Sequence, residues 1–145
     1  MKPMLPYIPT PEEKVEKILE WADVKPGQKS LDLGSGDGRI VIAMAKAGAI
    51  AYGFEILEKY VRRAKAKIAT EGLREKAFVS NKDFWQENLS SYDIITFYGM
   101  AAIMNRLSEK LTNEVTPGTI VISNGFSIPR WKILKEEDFL YFYKV

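Results

Sequence analysis

Ser30-Leu31-Asp32-Leu33-Gly34-Ser35-Gly36-Asp37-Gly38-Arg39-Ile40 decides the fold. A short apolar strand ends in an acid, glycines follow at alternate positions, and an apolar helix begins. Strand, glycine turn and helix in that order open a β-α-β unit. The loop of such a unit sits at the carboxyl end of a parallel sheet, where ligands bind.

The rest of the chain repeats the alternation. Residues 49–54 form a continuous apolar run, as in a strand covered on both faces, and it ends at Glu55. Leu57, Tyr60, Val61, Ala64 and Ile68 mark an amphipathic helix stopped at Gly72. Residues 77–81 predict a third strand, leading into Asp83-Phe84-Trp85, and residues 93–98 a fourth. A helix through Ile103, Leu107, Leu111 and Val115 precedes a fifth strand at 119–123. Residues 131–134 and 139–145 read as a closing hairpin. The last segment is apolar on both faces, which places it between other strands. Before the glycine loop, Thr10-Pro11-Glu12-Glu13 reads as a capping box with Pro11 at the first helical position. The expected fold is α/β: a Rossmann-like, seven-stranded, mostly parallel sheet with helices on both faces and an antiparallel C-terminal strand. A length of 145 residues fits one domain over 1–145, with 1–10 an extended segment able to act as a lid.

The loop itself narrows the ligand. A dinucleotide fingerprint needs G-x-G-x-x-G, and here the third glycine comes one residue early with Arg39 behind it. A Walker loop needs Gly-Lys-Ser/Thr, which is absent. Asp32 and Asp37 flank the glycines, so a pyrophosphate would meet carboxylates and a cationic ligand is favoured. S-adenosylmethionine carries a sulfonium and an ammonium. Glu55, at the end of the second strand, suits its ribose hydroxyls, by analogy with the acid of dinucleotide sites. Asp83, at the end of the third, suits the adenine amino group, with Phe84 or Trp85 on the ring face. Each of these residues also has a plainer reading: Glu55 as a helix-start charge, Asp83 as a turn residue, the aromatics as core. Acids at successive strand ends favour the cofactor reading over any one alone.

Composition excludes several classes. The chain has no cysteine and no histidine, so disulfides, thiolate metal sites and Ser-His or Cys-His nucleophiles are ruled out; no metal site is expected. With 21 basic and 19 acidic residues the net charge is +2, too balanced to imply nucleic acid. No apolar run is long enough to span a bilayer and residues 1–10 lack a signal-peptide pattern, so a cytoplasmic protein is expected. Zero Cys, two Gln and many Lys and Glu lean towards a thermophile.

Asp-Leu-Gly-Ser-Gly-Asp-Gly-Arg-Ile at 32–40, with Gly-Phe-Glu at 53–55, resembles the seven-strand S-adenosylmethionine-dependent methyltransferases. Tyr7-Ile8-Pro9-Thr10-Pro11 and Asn81-Lys82-Asp83-Phe84-Trp85 are similar to the small archaeal protein-lysine methyltransferases, relatives of the Dot1-type and mitochondrial lysine enzymes. The resemblance implies methylation of protein lysines with relaxed specificity, chromatin proteins included. It implies cofactor contacts at Asp32, Gly34, Glu55 and Asp83. Ser35, Gly36 and Gly38 of the loop, Ile56, Phe84 and Thr10 complete the candidate cofactor set. Where the Dot1 type has an Asn-rich segment after its fourth strand, this chain has Phe97-Tyr98-Gly99-Met100.

In methyl transfer the cofactor supplies the hard chemistry and the protein supplies orientation. Lysine must lose its proton, and a dry, aromatic-lined channel lowers its pKa. Tyr7, Phe97, Tyr98 and Trp131 are candidates for that channel, Tyr98 and Tyr7 foremost, with no general base evident. So short a chain leaves little for a substrate-enclosing cap, which suits an exposed lysine on a macromolecule. The expected partners are protein substrates, with no membrane and no direct nucleic-acid contact, and the protein is expected to be a monomer. Two other readings compete. A nucleic-acid methyltransferase is disfavoured because Phe97-Tyr98-Gly99-Met100 stands where Asp/Asn-Pro-Pro-Tyr/Phe is expected in the amino-methylating members. A non-catalytic module is disfavoured by the intact acids at Asp32, Glu55 and Asp83.

Overall fold

The computed structural model describes residues 8–145. Helix α1 is Glu12–Ala22, α2 Arg39–Lys46, α3 Glu58–Thr70 and α4 Met104–Glu114. The strands are β1 Lys29–Leu33, β2 Ile50–Phe54, β3 Ala77–Ser80, β4 Ile94–Tyr98, β5 Ile120–Asn124, β6 Lys135–Glu137 and β7 Leu140–Lys144. They form a seven-stranded sheet in the order β3-β2-β1-β4-β5-β7-β6. The first five run parallel, and β7 lies antiparallel to both β5 and β6.

The two faces are covered differently. Val15, Ile18 and Ala22 of α1, most of α2, and Val61, Ala64 and Ile68 of α3 pack on one face. Met104, Leu107 and Leu111 of α4 pack on the other, over Leu31, Leu33, Ile95 and Phe97. Because side chains alternate along a strand, Leu31 and Leu33 face α4, while Asp32 between them faces the α1–α2 side. The strand order reverses between β1 and β4, so the switch point lies at their carboxyl ends.

Two local expectations are corrected. Pro11, not Thr10, holds the N-cap position of α1, and no side chain caps that end. Pro11 stays in extended geometry, with φ −58° and ψ 150°, and its carbonyl accepts the first helical N–H groups. Thr10 is pulled inward instead: it is buried, and its carbonyl accepts from Arg39 Nη1 at 3.0 Å. The hairpin partner of the last strand is Lys135–Glu137 rather than 131–134. Trp131 is occupied elsewhere, edge-on to Tyr143 at 5.6 Å and donating from Nε1 to Thr112 Oγ1 at 2.9 Å. The closing strand does sit between two others, as its two apolar faces imply.

Candidate active site

A cleft of about 250 Å³ opens at the carboxyl ends of β1, β2 and β4. The glycine loop forms its floor. Gly34 and Ser35 donate backbone N–H bonds to the Phe54 carbonyl at 2.8 and 3.0 Å, which ties the loop to the end of β2. Gly53 makes this approach possible. A Cβ there would lie 2.7 Å from both the Cβ of Ser35 and the Cγ2 of Val41. Gly53→Ala is therefore expected to lower stability by about 1–3 kcal/mol through overpacking. Denaturant unfolding checks this, and an unchanged midpoint would contradict so close an approach of loop and strand.

Glu55 is the keystone of the floor. It is buried, and each carboxylate oxygen accepts one backbone N–H: Oε1 from Gly36 and Oε2 from Leu57, both at 2.8 Å. The carboxylate therefore braces the glycine loop and opens α3 at once. Each oxygen keeps further lone-pair capacity. Asn81, just past β3, supports it by donating its side-chain amide to the carbonyls of Glu55 and Ile56 at 3.0 Å each.

Asp32 is buried beneath the loop and accepts from Thr96 Oγ1 at 2.8 Å. Thr96 is its direct neighbour across the β1–β4 pairing. Burial drives the Asp32 carboxyl up to about 8, the Thr96 hydroxyl holds it back in part, and the Glu55 and Asp37 charges add to the rise. Asp37, on the other side of the loop, pairs with Arg39 at 2.7 Å. Arg39 thus links the loop to Thr10 and holds residues 8–10 against the cleft. Ile8, Pro9 and Thr10 all line it.

The far wall comes from the segment after β3 and from α4. Asp83 accepts from Trp85 N at 3.1 Å and starts a single 3-10 turn, Phe84–Gln86. That turn presents Phe84 and Trp85 to the cleft. Arg106 of α4 stacks over the Trp85 ring, its guanidinium carbon 4.0 Å from the ring centre. Lys110 adds a bond to the Trp85 carbonyl at 3.3 Å.

Most of the candidate set converges here. Thr10, Asp32, Gly34, Ser35, Gly36, Glu55, Ile56, Asp83, Phe84 and Tyr98 all line the cleft. Gly38 does not. It has φ 83°, and a Cβ there would lie 2.9 Å from the Cβ of Ala64, so it lets α2 begin against α3. Phe97 is corrected as well: it points into the α4-side core and is 3% exposed. Trp131 is held against Thr112 and Tyr143, away from the cleft lining. Tyr7 lies outside the described residues, as does most of the expected lid. Among the described residues, no cluster of His, Cys, Asp or Glu could hold a metal.

Thr96, Arg39, Asn81 and Arg106 were not legible as site residues. Thr96 needed the β1–β4 register, and Arg106 stacks on a residue 21 positions away in sequence. Arg39 did carry a signal, standing two places after Asp37 in the loop.

The arrangement fits an adenosyl sulfonium cofactor. It offers an acidic pocket under the loop, acceptor capacity at Glu55 and Asp83, and an aromatic wall at Phe84 and Trp85. Open space lies above Gly34, where a Cβ would meet nothing within 4 Å.

Residues 32–135 match the ANTKMT methyltransferase domain. The chain is similar to a protein-lysine N-methyltransferase of Saccharolobus islandicus, at 36% identity over 141 residues, covering 94% of this chain and 88% of that protein. It is also similar to the adenine nucleotide translocase lysine N-methyltransferase of Mus musculus. Identity there is 31% over 129 residues, covering 88% of this chain but 56% of that protein. Among solved structures it resembles an RNA methyltransferase from Salinibacter ruber in complex with S-adenosyl-L-homocysteine. The TM-score is 0.89 with 32% identity, over 94% of this chain and 93% of that one. With a matching family domain across most of its length and such relatives around it, the chain belongs to the ANTKMT methyltransferase family.

Proposed function

We propose that this methyltransferase acts on lysine side-chain amines of proteins. The observation that carries the reading is the open cleft at the switch point, acidic beneath and aromatic at its wall, in a chain similar to enzymes named for protein-lysine methylation. The cofactor of the family is S-adenosylmethionine, which supplies an electrophilic methyl group. Asp32 and the glycine loop hold its cationic methionine end, with Thr10, Ser35 and Gly36 around it. Glu55, with Ile56 beside it, receives the ribose hydroxyls. Asp83 and Phe84 take the adenine, and Arg106 fixes the Trp85 ring behind them. The whole chain works as one methyltransferase domain, with the segment before α1 as a flap.

The protein's part in the reaction is to orient and to desolvate. Lysine arrives as an ammonium with an ordinary pKa of about 10.4 and must become a neutral amine. Half-buried Tyr98, at the end of β4, lines the cleft with Met100 and Ile103. An aromatic and aliphatic channel disfavours the charged amine, and water takes the proton. The chain contains no histidine to do so. Tyr98→Ala is expected to lower kcat by about 10- to 100-fold with cofactor affinity kept, while Tyr98→Phe retains most turnover. Steady-state rates at saturating cofactor check this; normal turnover by both variants would remove Tyr98 from the channel.

An open cleft suits relaxed specificity, and basic chromatin proteins are among the candidate acceptors. The proposed setting is the cytoplasm. Among the described residues no helix is long and apolar enough to cross a membrane. Likeness to an RNA methyltransferase keeps RNA as a second reading. Incubation with methyl-labelled cofactor, offering a lysine-rich protein and an RNA together, separates them. Label in the protein supports the proposal, and label in the RNA alone overturns it.

A further inference from the structure

Residues 81–93 join β3 to β4 through one 3-10 turn and no strand. This segment carries the aromatic wall of the cleft, Phe84 and Trp85. Outside the sheet ladder, its backbone groups depend on side chains for partners. Helix α4 supplies them with two residues, Lys110 and Glu114, that do not line the cleft.

Lys110 Nζ donates to the Trp85 carbonyl at 3.3 Å and to Glu114 Oε2 at 2.8 Å. The other carboxylate oxygen of Glu114, Oε1, accepts from Leu89 N at 2.8 Å. One ion pair therefore grips the segment twice, at Trp85 and at Leu89. Leu89 is fully buried in the α4-side core, so the second grip is also fixed by packing. Arg106 lies over the Trp85 ring. Arg106, Lys110 and Glu114 follow at i, i+4 and i+8, which makes them one stripe along α4.

Stability alone is a weak reason for such a pair. Its side chains are only 12% and 22% exposed. Taking two charges that far out of water offsets most of their mutual attraction, and apolar replacements of similar size are often neutral. An ion pair of fixed geometry does set position. Phe84 and Trp85, with ring centres 4.7 Å apart, form a flat wall for a ligand only while their turn is held. A wall held before the ligand arrives needs less ordering when it binds.

We infer that Lys110 and Glu114 are positioning residues for the adenine end of the cofactor. They clamp the Phe84–Trp85 wall from behind and set cofactor affinity without touching the cofactor. This rests on the proposed placing of the adenine at Asp83 and Phe84.

The test uses the full chain carrying Lys110→Met together with Glu114→Gln. The pair of changes removes both charges, keeps both stems and leaves an acceptor for Leu89 N. Titration calorimetry is expected to show S-adenosylmethionine bound about tenfold more weakly, the effect of one charge-assisted hydrogen bond. Adenosine, which has no methionine end, should weaken by the same factor. Tm, and kcat at saturating cofactor, should hold. Wild-type affinity for both ligands overturns the clamp. A loss confined to S-adenosylmethionine also overturns it, because the effect would then lie away from the adenine. A fall in Tm that accounts for the lost affinity overturns it too, since the pair would then serve the fold alone. Phe84→Ala tests the placing underneath and should weaken adenosine at least as much. If it leaves adenosine binding unchanged, the adenine lies elsewhere and the clamp fails with that placing. If it weakens adenosine while the double variant does not, only the clamp fails.

Discussion

Glu55→Ala is expected to weaken cofactor binding by at least about 100-fold, the largest single effect on the proposed site. Two charge-assisted hydrogen bonds end on this buried carboxylate, from Gly36 N and Leu57 N. Each such bond contributes roughly 1.5–3 kcal/mol, and every 1.4 kcal/mol is tenfold in affinity. Removing the acid frees the glycine loop and takes away the ribose acceptor in one step. Glu55→Gln should fall between, because its amide offers one acceptor oxygen and turns an NH₂ towards the other N–H donor. Titration calorimetry with S-adenosylmethionine measures the loss, and thermal unfolding shows how much of it is loosened structure. Affinity within about threefold of wild type would reduce Glu55 to a helix-start charge.

Asp32→Asn should produce the second large effect, and it should appear as a change in pH dependence. The Asp32 carboxyl sits at about 8 in the folded protein because of burial, against about 3.9 in an unfolded chain. Between roughly pH 4 and 8 the folded state therefore holds a proton that the unfolded state has released. Stability from this group declines as pH rises through that window. Asp32→Asn removes this decline, so the ligand-free variant should gain on wild type in Tm as pH increases. Cofactor binding runs the other way. A cation beside Asp32 favours the carboxylate, so binding expels the proton. Affinity should rise with pH by up to about tenfold per unit below pH 8 and level off above it. In Asp32→Asn this rise should vanish, leaving binding about 10- to 100-fold weaker than wild type at pH 8. Thr96 should still donate to the new side-chain oxygen, so the fold has no reason to shift. Parallel pH profiles for the two proteins would mean that Asp32 does not face the cation.

The glycine loop and the acids at the strand ends were legible because each is local. Asp32, Glu55 and Asp83 lie at or just past the ends of successive strands, and a parallel sheet brings those ends together. What the chain hid were relations across the sheet. Thr96 reaches Asp32 only because residues 64 apart share a register. In sequence Glu55 points only to a ligand, whereas its two oxygens also hold the loop in place. Gly38 belongs to the right motif yet serves the contact between α2 and α3, because a glycine can be needed for a neighbour's Cβ as well as for a ligand. The closing hairpin failed by position. Apolar residues at 131–134 suggest a strand, but the partner of β7 is the charged run Lys135–Glu137. That run is an edge strand, and edge strands carry charge. Phe97 and Tyr98 show the same limit at the scale of one residue. Both end β4, and strand alternation sends one into the core and the other to the cleft.

The proposed function depends on lysine being the methyl acceptor, and this can be read from the product itself. The protein is incubated with methyl-labelled S-adenosylmethionine and a lysine-rich protein, the product is digested, and the label is located by tandem mass spectrometry. Label is expected on lysine side-chain nitrogen and should be lost in Glu55→Ala. Label confined to other side chains, or to RNA carried in the sample, would refute lysine as the acceptor.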